Sequence, residues 1–315
     1  MARLTELAAH DSRIFLVTAD LGFGVLTGFA DSYPRQVLNA GVAEANMTGI
    51  ATGLALDGRV VFTYSIANFP TLRCLEQLRN DAAYHDANVK VVSIGGGFSY
   101  GPLGMSHHAT EDLAVLRAIP GITVTAPGCA WEAAELTATL AATPGVCYLR
   151  LDRSGLASTR RAGEQFALGK ARTLRDGSDV TLVSTGGILG EALAAADILA
   201  VEGIAARVLS IHALRPFDAD AILAACRETG GLITIEEHVL AGGLGSAVAE
   251  SCLDAGVTPR AFQRLGAHGF AGAAGSQDYL RRCAGIDFAS IVRNVRAMVS
   301  GRAHDRSQLR TVVRR

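Results

Sequence analysis

Short runs rich in β-branched and aliphatic residues alternate with alanine- and leucine-rich stretches along most of this chain, and that alternation narrows the fold more than any other feature. β-Branched residues suit a pleated, half-buried surface, whereas Ala and Leu favour helices. Strands are predicted at Ile14–Thr18, Val60–Tyr64, Val89–Ile94, Thr123–Ala126 and Val146–Leu149. Helices are predicted at Ala43–Leu56, Leu72–Tyr84 and Ala130–Ala142. The segment Ser154–Asp176, rich in Ser, Arg, Gly and Thr, interrupts the rhythm. A second set then follows, with strands at Val180–Ser184, Ala206–Ser210 and Leu232–Glu236. Its helices are predicted at Gly190–Ala200, Ala219–Thr229, Leu244–Ala255 and Phe288–Val299. Strands separated by helices imply parallel sheets covered on both faces. The fold class expected is therefore α/β, as two consecutive domains, each a mostly parallel sheet flanked by helices. The divisions expected are a first domain over 1–155, a linker over 156–176, a second domain over 177–301 and a basic, disordered tail over 302–315.

Composition excludes several classes. With 49% apolar residues in 315, the chain can bury a large core and is not disordered over most of its length. Its 29 Lys+Arg nearly balance 30 Asp+Glu, so it has no overall field for nucleic acid. No apolar run reaches the ~20 residues of a membrane helix, and the first residues do not read as a secretory signal. Six cysteines are scattered without a Cys-x-x-Cys pair, which fits small buried residues better than zinc or a disulfide framework. A cytoplasmic setting is expected.

Four segments carry chemistry. Gly22, Gly24 and Gly28 follow the first strand, but their spacing is not that of a dinucleotide loop, so a plain strand-to-helix turn competes with a phosphate cradle. Glu44 falls in the first turn of an otherwise apolar, glycine-containing helix. It reads either as an exposed glutamate favoured by the helix dipole or as a buried carboxyl that exchanges a proton with a ligand nitrogen. The glycine-rich loop Gly95–His108 follows a strand end, where ligands of parallel sheets gather. Its two adjacent histidines cannot face one way on a regular element, so one of them directed into a cleft is the functional reading. Ile235-Glu236-Glu237-His238 ends a strand, and reads as capping and packing or as a contact near a shared cleft.

In this order and spacing, these segments resemble the C-terminal half of transketolase, most closely the small subunit of split, two-gene proteins of that family. Gly41-Val42-Ala43-Glu44-Ala45-Asn46-Met47 resembles the family's cofactor-glutamate motif. Glu76-Gln77-Leu78-Arg79-Asn80-Asp81, Ser99-Tyr100-Gly101 through His107-His108, and Ile235-Glu236-Glu237-His238 are similarly typical. The resemblance implies a pyrimidine-binding domain followed by a transketolase C-terminal domain, with thiamine diphosphate and Mg²⁺ bound between two chains. It implies that Glu44 meets N1′ of the aminopyrimidine, that Phe69 or Tyr64 stacks on that ring, and that Asp20 and Leu21 line it. It further implies that His107 contacts the substrate oxygen, and that Ser99 and Arg153 bind substrate, Arg153 through a phosphate.

Departures accompany the match. Leu103 stands where sugar-phosphate relatives carry an acid, Gly95 where a histidine is expected, and Gly24 where a serine is expected. No Gly-Asp-Gly motif, the family's holder of diphosphate and Mg²⁺, occurs in the chain. The resemblance therefore implies a partner chain carrying that motif, in a two-plus-two heterotetramer acting on a small sugar or keto substrate. The function expected is transfer of a two-carbon ketol unit from a ketose to an aldehyde, with no nucleic-acid or membrane partner. Rival readings are the beta subunit of a 2-oxo acid dehydrogenase or acyloin-forming enzyme, a catalytically silent partner subunit, and a nicotinamide-dependent dehydrogenase using Gly22–Gly28.

Overall fold

A computed structural model describes residues 1–153, 155–156 and 158–301; the expected basic tail over 302–315 lies outside the described residues. Among the described residues, twelve strands form two sheets: β1 Ile14–Thr18, β2 Val37–Asn39, β3 Val60–Ile66, β4 Val89–Ile94, β5 Thr123–Thr125, β6 Cys147–Leu151, β7 Arg172–Arg175, β8 Val180–Thr185, β9 Ala206–Ser210, β10 Ala213–Arg215, β11 Leu232–Val239 and β12 Phe262–Ala267. The first sheet runs β10-β5-β6-β4-β3-β1-β2 and the second β12-β11-β8-β9-β7. All neighbouring pairs are parallel except β10 with β5 and β7 with β9. The chain is thus two consecutive α/β units with mostly parallel sheets flanked by helices.

Burial explains why the central strands were legible. Every residue of β8 is buried, as are all but the last of β4 and of β11, as expected of strands covered on both faces. Two apolar clusters pack the faces of the first sheet, one around Met47, Leu78 and Leu113 and one around Phe29, Phe62 and Leu136. The second sheet has its own two, around Leu189, Ile233 and Ile291 and around Ile222, Leu244 and Val248.

Three expectations need correction. Arg172–Arg175, inside the segment read as a linker, is an edge strand of the second sheet. Ala213–Arg215, from the second half of the chain, lies antiparallel to β5 at the edge of the first sheet. The helix expected over Leu72–Tyr84 begins late: Asn68 O accepts N–H groups from Thr71 and Arg73, a turn precedes the helix, and a π-helix spans Gln77–Ala83.

Candidate functional site

The C-terminal ends of β1, β3, β4 and β6 point to one rim, and the segments after them carry most of the residues singled out above. Glu44 is the first residue of the helix Glu44–Leu56 and is only 3% exposed. The approach to it is set by Asn39. The Asn39 side-chain carbonyl accepts the N–H groups of Asp20 and Gly41, and its amide donates to the Asp20 carboxylate. Asp20 and Gly41 both have positive φ, so the two turns interlock here in a conformation that suits a short polar residue and a glycine. Leu21 is held through its carbonyl, which accepts the Thr18 hydroxyl.

Glu44 Oε2 accepts a hydrogen bond from Arg73 Nη1 at 2.9 Å, and no hydrogen bond reaches Oε1 from the described residues. The same guanidinium lies over the Phe69 ring, 4.4 Å from its centroid. Phe69 also meets the His107 ring in a T-shaped contact, with centroids 5.2 Å apart. Glu44, Arg73, Phe69 and His107 therefore form one connected set. Tyr64 stands apart from it, half-buried against Leu26 beside Gly22, where burial pushes its phenol up.

The two histidines diverge. His107 ends a short 3₁₀ turn, and its Nδ1 lies 3.0 Å from the Ser106 hydroxyl, which leaves Nε2 for a ligand. His108 is buried, with Nε2 against Gly101 O and its ring in a T-shaped contact with Phe98. The His108 carbonyl accepts from Asn68 Nδ2, which ties the Phe69 turn to the histidine loop. Arg153 is exposed, its guanidinium 5.7 Å from the centre of the Tyr100 ring. Ser99, expected to bind substrate, is buried instead. Its hydroxyl donates to Gly96 O and accepts from Arg153 N–H and the Gln277 amide, so it fastens the loop rather than facing a ligand.

An aminopyrimidine requires a flat ring to lie on, a carboxyl for its nitrogen and space beside both. Phe69 and the unengaged oxygen of Glu44 fit that end of thiamine diphosphate. Among the described residues no group of three or more His, Cys, Asp or Glu converges on a point where a metal could sit, and the sequence contains no Gly-Asp-Gly. Around the mouth, Phe23, Val42, Leu103 and Met105 are exposed. Scattered apolar residues are normal, but large exposed ones on the first turn, beside Glu44 and on the histidine loop suit a surface that another polypeptide covers.

Two participants escaped the sequence reading. Arg73 fell inside the helix predicted over Leu72–Tyr84 with no assigned role, and only folding brings it to Glu44, 29 positions away. The other is a buried polar joint between the two sheets. Arg150 on β6 is 1% exposed, lies near Asp112 and Asp152, and donates to the carbonyls of Ala109 and Glu237. An arginine inside the apolar strand Tyr148-Leu149-Arg150-Leu151 was the available signal, because buried charges are nearly always paired. Beyond it, His238 is pushed down to about 4 and Glu236 up to about 7, both by burial.

Comparison with known proteins identifies the family. Residues 1–158 match the family model for the transketolase pyrimidine binding domain, and residues 169–291 match that for the transketolase C-terminal domain. The chain is 39% identical to the 6-deoxy-6-sulfo-D-fructose transketolase subunit SqwH of Clostridium sp., over 92% of this chain and 90% of that one. It is 40% identical to an apulose-4-phosphate transketolase subunit of Phocaeicola vulgatus, over 79% of this chain and 80% of that one. Among solved structures, a split gene transketolase described as an inactive beta4 tetramer superposes with a TM-score of 0.85 at 33% identity, covering 96% of this chain and 97% of that one. No helix among the described residues is long and apolar enough to cross a membrane. With both domain models matched in order and these relatives aligned along most of its length, the chain belongs to the transketolase family.

Proposed function

We propose that this chain is the pyrimidine-holding subunit of a two-chain, thiamine diphosphate-dependent transketolase. It moves a two-carbon ketol unit from a ketose donor to an aldehyde acceptor in the cytoplasm. The observation that carries this reading is the buried Glu44 carboxyl, with one oxygen unengaged, joined through Arg73 to the Phe69 ring and His107. The partner chain supplies the diphosphate and Mg²⁺ site, because the Gly-Asp-Gly motif that would build it does not occur in this sequence. The beta4 tetramer of the structural neighbour is described as inactive, which supports a requirement for a second kind of chain; a two-plus-two assembly is the stoichiometry proposed.

Thiamine diphosphate, when bound, would supply a nucleophilic carbon and a cationic ring able to act as an electron sink for the carbon–carbon bond to be broken. This chain's residues position and control protons. Glu44, 3% exposed, would turn its unengaged oxygen to the pyrimidine ring nitrogen and exchange a proton there. Phe69 offers a face for that ring, a contact of about 0.5–1.5 kcal/mol beyond area burial, and Arg73 lies over Phe69 while bonded to Glu44. Asp20 and Leu21 border the pocket on the first turn. His107 directs Nε2 at the substrate oxygen beside the reacting carbon. Arg153, exposed and backed by Tyr100, meets an anionic group at the far end of the sugar. The relatives named for a sulfonated and a phosphorylated sugar support that choice of substrate class, and a guanidinium suits either anion.

The test is reconstitution. This chain, its partner, thiamine diphosphate and Mg²⁺ are combined and assayed with anionic ketose donors and aldehyde acceptors, against pyruvate as the control substrate. Ketol transfer by the mixture, absent from this chain alone, is expected. Turnover by this chain alone, or turnover of pyruvate only, would falsify the reading.

A further inference from the structure

The segment from Gly97 to Ala109 is a closed loop. Gly97 N–H donates to Ala109 O and Ala109 N–H to Gly97 O, so the loop leaves and rejoins the fold at one stem. His107 lies on it, and its stem is gripped by β11 of the second sheet. Val239 N–H donates to Thr110 O, and Arg150 bridges Ala109 O and Glu237 O. The firmest hold is the Glu237 side chain, which is 1% exposed. Its Oε1 accepts Phe98 N–H at 2.6 Å and the Gln277 amide at 2.9 Å, and its Oε2 accepts Arg281 Nε at 2.6 Å. Gly97, with φ +60°, sits so close that a Cβ there would lie 2.5 Å from Glu237 Cγ. The loop backbone is thus built against this carboxylate.

Stability does not account for the arrangement. Desolvating Glu237, Arg281, Arg150, Asp112 and Asp152 together is costly, and apolar replacements of buried ion pairs are often neutral or stabilising. A buried charged joint fixes geometry, because each hydrogen bond has one direction and length. The geometry fixed here is that of the loop bearing His107.

We propose that Glu237 is a positioning residue of the second domain that sets His107 over the reacting carbon. The second domain then takes part in the reaction without touching substrate or cofactor. This inference rests on the function proposed above, and its test separates the two.

The assembled two-chain enzyme, with thiamine diphosphate and Mg²⁺, is compared as wild type, Glu237→Gln, His107→Ala and the double variant. Misplacing a reacting group by about 1 Å costs roughly 100-fold in rate, so Glu237→Gln is expected to lower kcat by about 10- to 100-fold on that scale. Cofactor affinity, followed by cofactor-induced circular dichroism, stays within about twofold, since the Glu44 pocket does not contact Glu237. In the His107→Ala background the same change is expected to cost nothing further, because residues acting through one group are not additive. Additive losses, or a loss matched by weaker cofactor binding, overturn the proposal and leave the assigned reaction standing. Full activity of His107→Ala overturns the role of His107 and the proposal with it. Should Glu237→Gln fail to fold, Gln277→Ala takes its place: it removes the half-exposed amide that joins Glu237 to Ser99, and the same loss of effect in the His107→Ala background is required.

Discussion

The mouth around Glu44 and the joint around Arg150 lie at the same rim, yet they handle charge in opposite ways. In the joint, Arg150, Asp112, Asp152, Glu237 and Arg281 are all deeply buried, and each lies against an opposite charge. At the mouth, Glu44 is buried while the side chain of the cation it meets, Arg73, is 53% exposed. The joint pairs its charges within one chain. On the proposed function the mouth is half a site: a carboxyl, a ring, an imidazole and an apolar border, to which a cofactor and a second chain would add the rest. Asp112 Oδ1 and Asp152 Oδ1 in the joint also accept no hydrogen bond, so the difference lies in the cation: buried in the joint, largely solvated at the mouth.

The comparison breaks first at Glu44. Glu44→Gln in the assembled enzyme keeps the side-chain shape but not the exchangeable proton, and turnover is expected to fall by about 10²–10⁴-fold, measured by steady-state ketol transfer. The free chain should unfold at nearly the same urea concentration as wild type, since Arg73 is largely solvated and its exposed pairing is worth under about 1 kcal/mol.

Arg150→Ala tests the other side. It strands Asp112 and Asp152 in the interior, and a loss of about 3–5 kcal/mol is expected in urea denaturation. A loss below about 1 kcal/mol would mean that the joint is wetter than its burial implies.

A smaller effect probes the apolar border. Val42→Asp or Phe23→Asp should weaken assembly with the partner at least tenfold, equivalent to about 1.4 kcal/mol, with the melting temperature of the free chain unchanged. Equal assembly by sedimentation or calorimetry would show that the partner docks elsewhere.

The subtlest effect concerns two neighbours in the joint. His238 is held down to about 4 from an ordinary 6.5, so the unfolded chain binds more protons between those pH values. Its contribution is present above pH 6.5 and is lost as pH falls towards 4. Glu236 is raised to about 7 from 4.5, so the folded chain binds more protons in that window. Its contribution is present below pH 4.5 and is lost as pH rises through 7. The two slopes oppose each other. Glu236→Gln should leave stability rising with pH between 4 and 6.5, and His238→Asn should leave it falling between 4.5 and 7. Parallel pH profiles for both variants would refute the opposition.

Much of the scaffold was legible because buried parallel strands and amphipathic helices write themselves into short windows. Ile14–Thr18, Val89–Ile94, Ala206–Ser210 and Phe288–Val299 have the bounds expected from pattern alone. The missed strands, Val37–Asn39, Arg172–Arg175 and Ala213–Arg215, have three or four residues each and exist because a neighbour pairs with them. Phe262–Ala267 begins exposed and carries Gln263 and Arg264 on its pleat, which masked it. In the candidate site, Glu44 and the histidine loop stood out from their local residues with their roles open, while Phe69 and the roles of Glu44 and His107 came from resemblance to a family. Arg73 and Glu237 matter through partners 29 and 139 positions away, and no local window contains that information.

The strand Ala213–Arg215 has a mechanical meaning. By crossing from the second half of the chain into the first sheet, it buckles the halves together independently of the covalent connection between them. A single protease cut between Arg153 and Arg172 should therefore yield two fragments that still travel as one particle. A hinge that swings the halves apart would first have to break the pairing of this strand with β5.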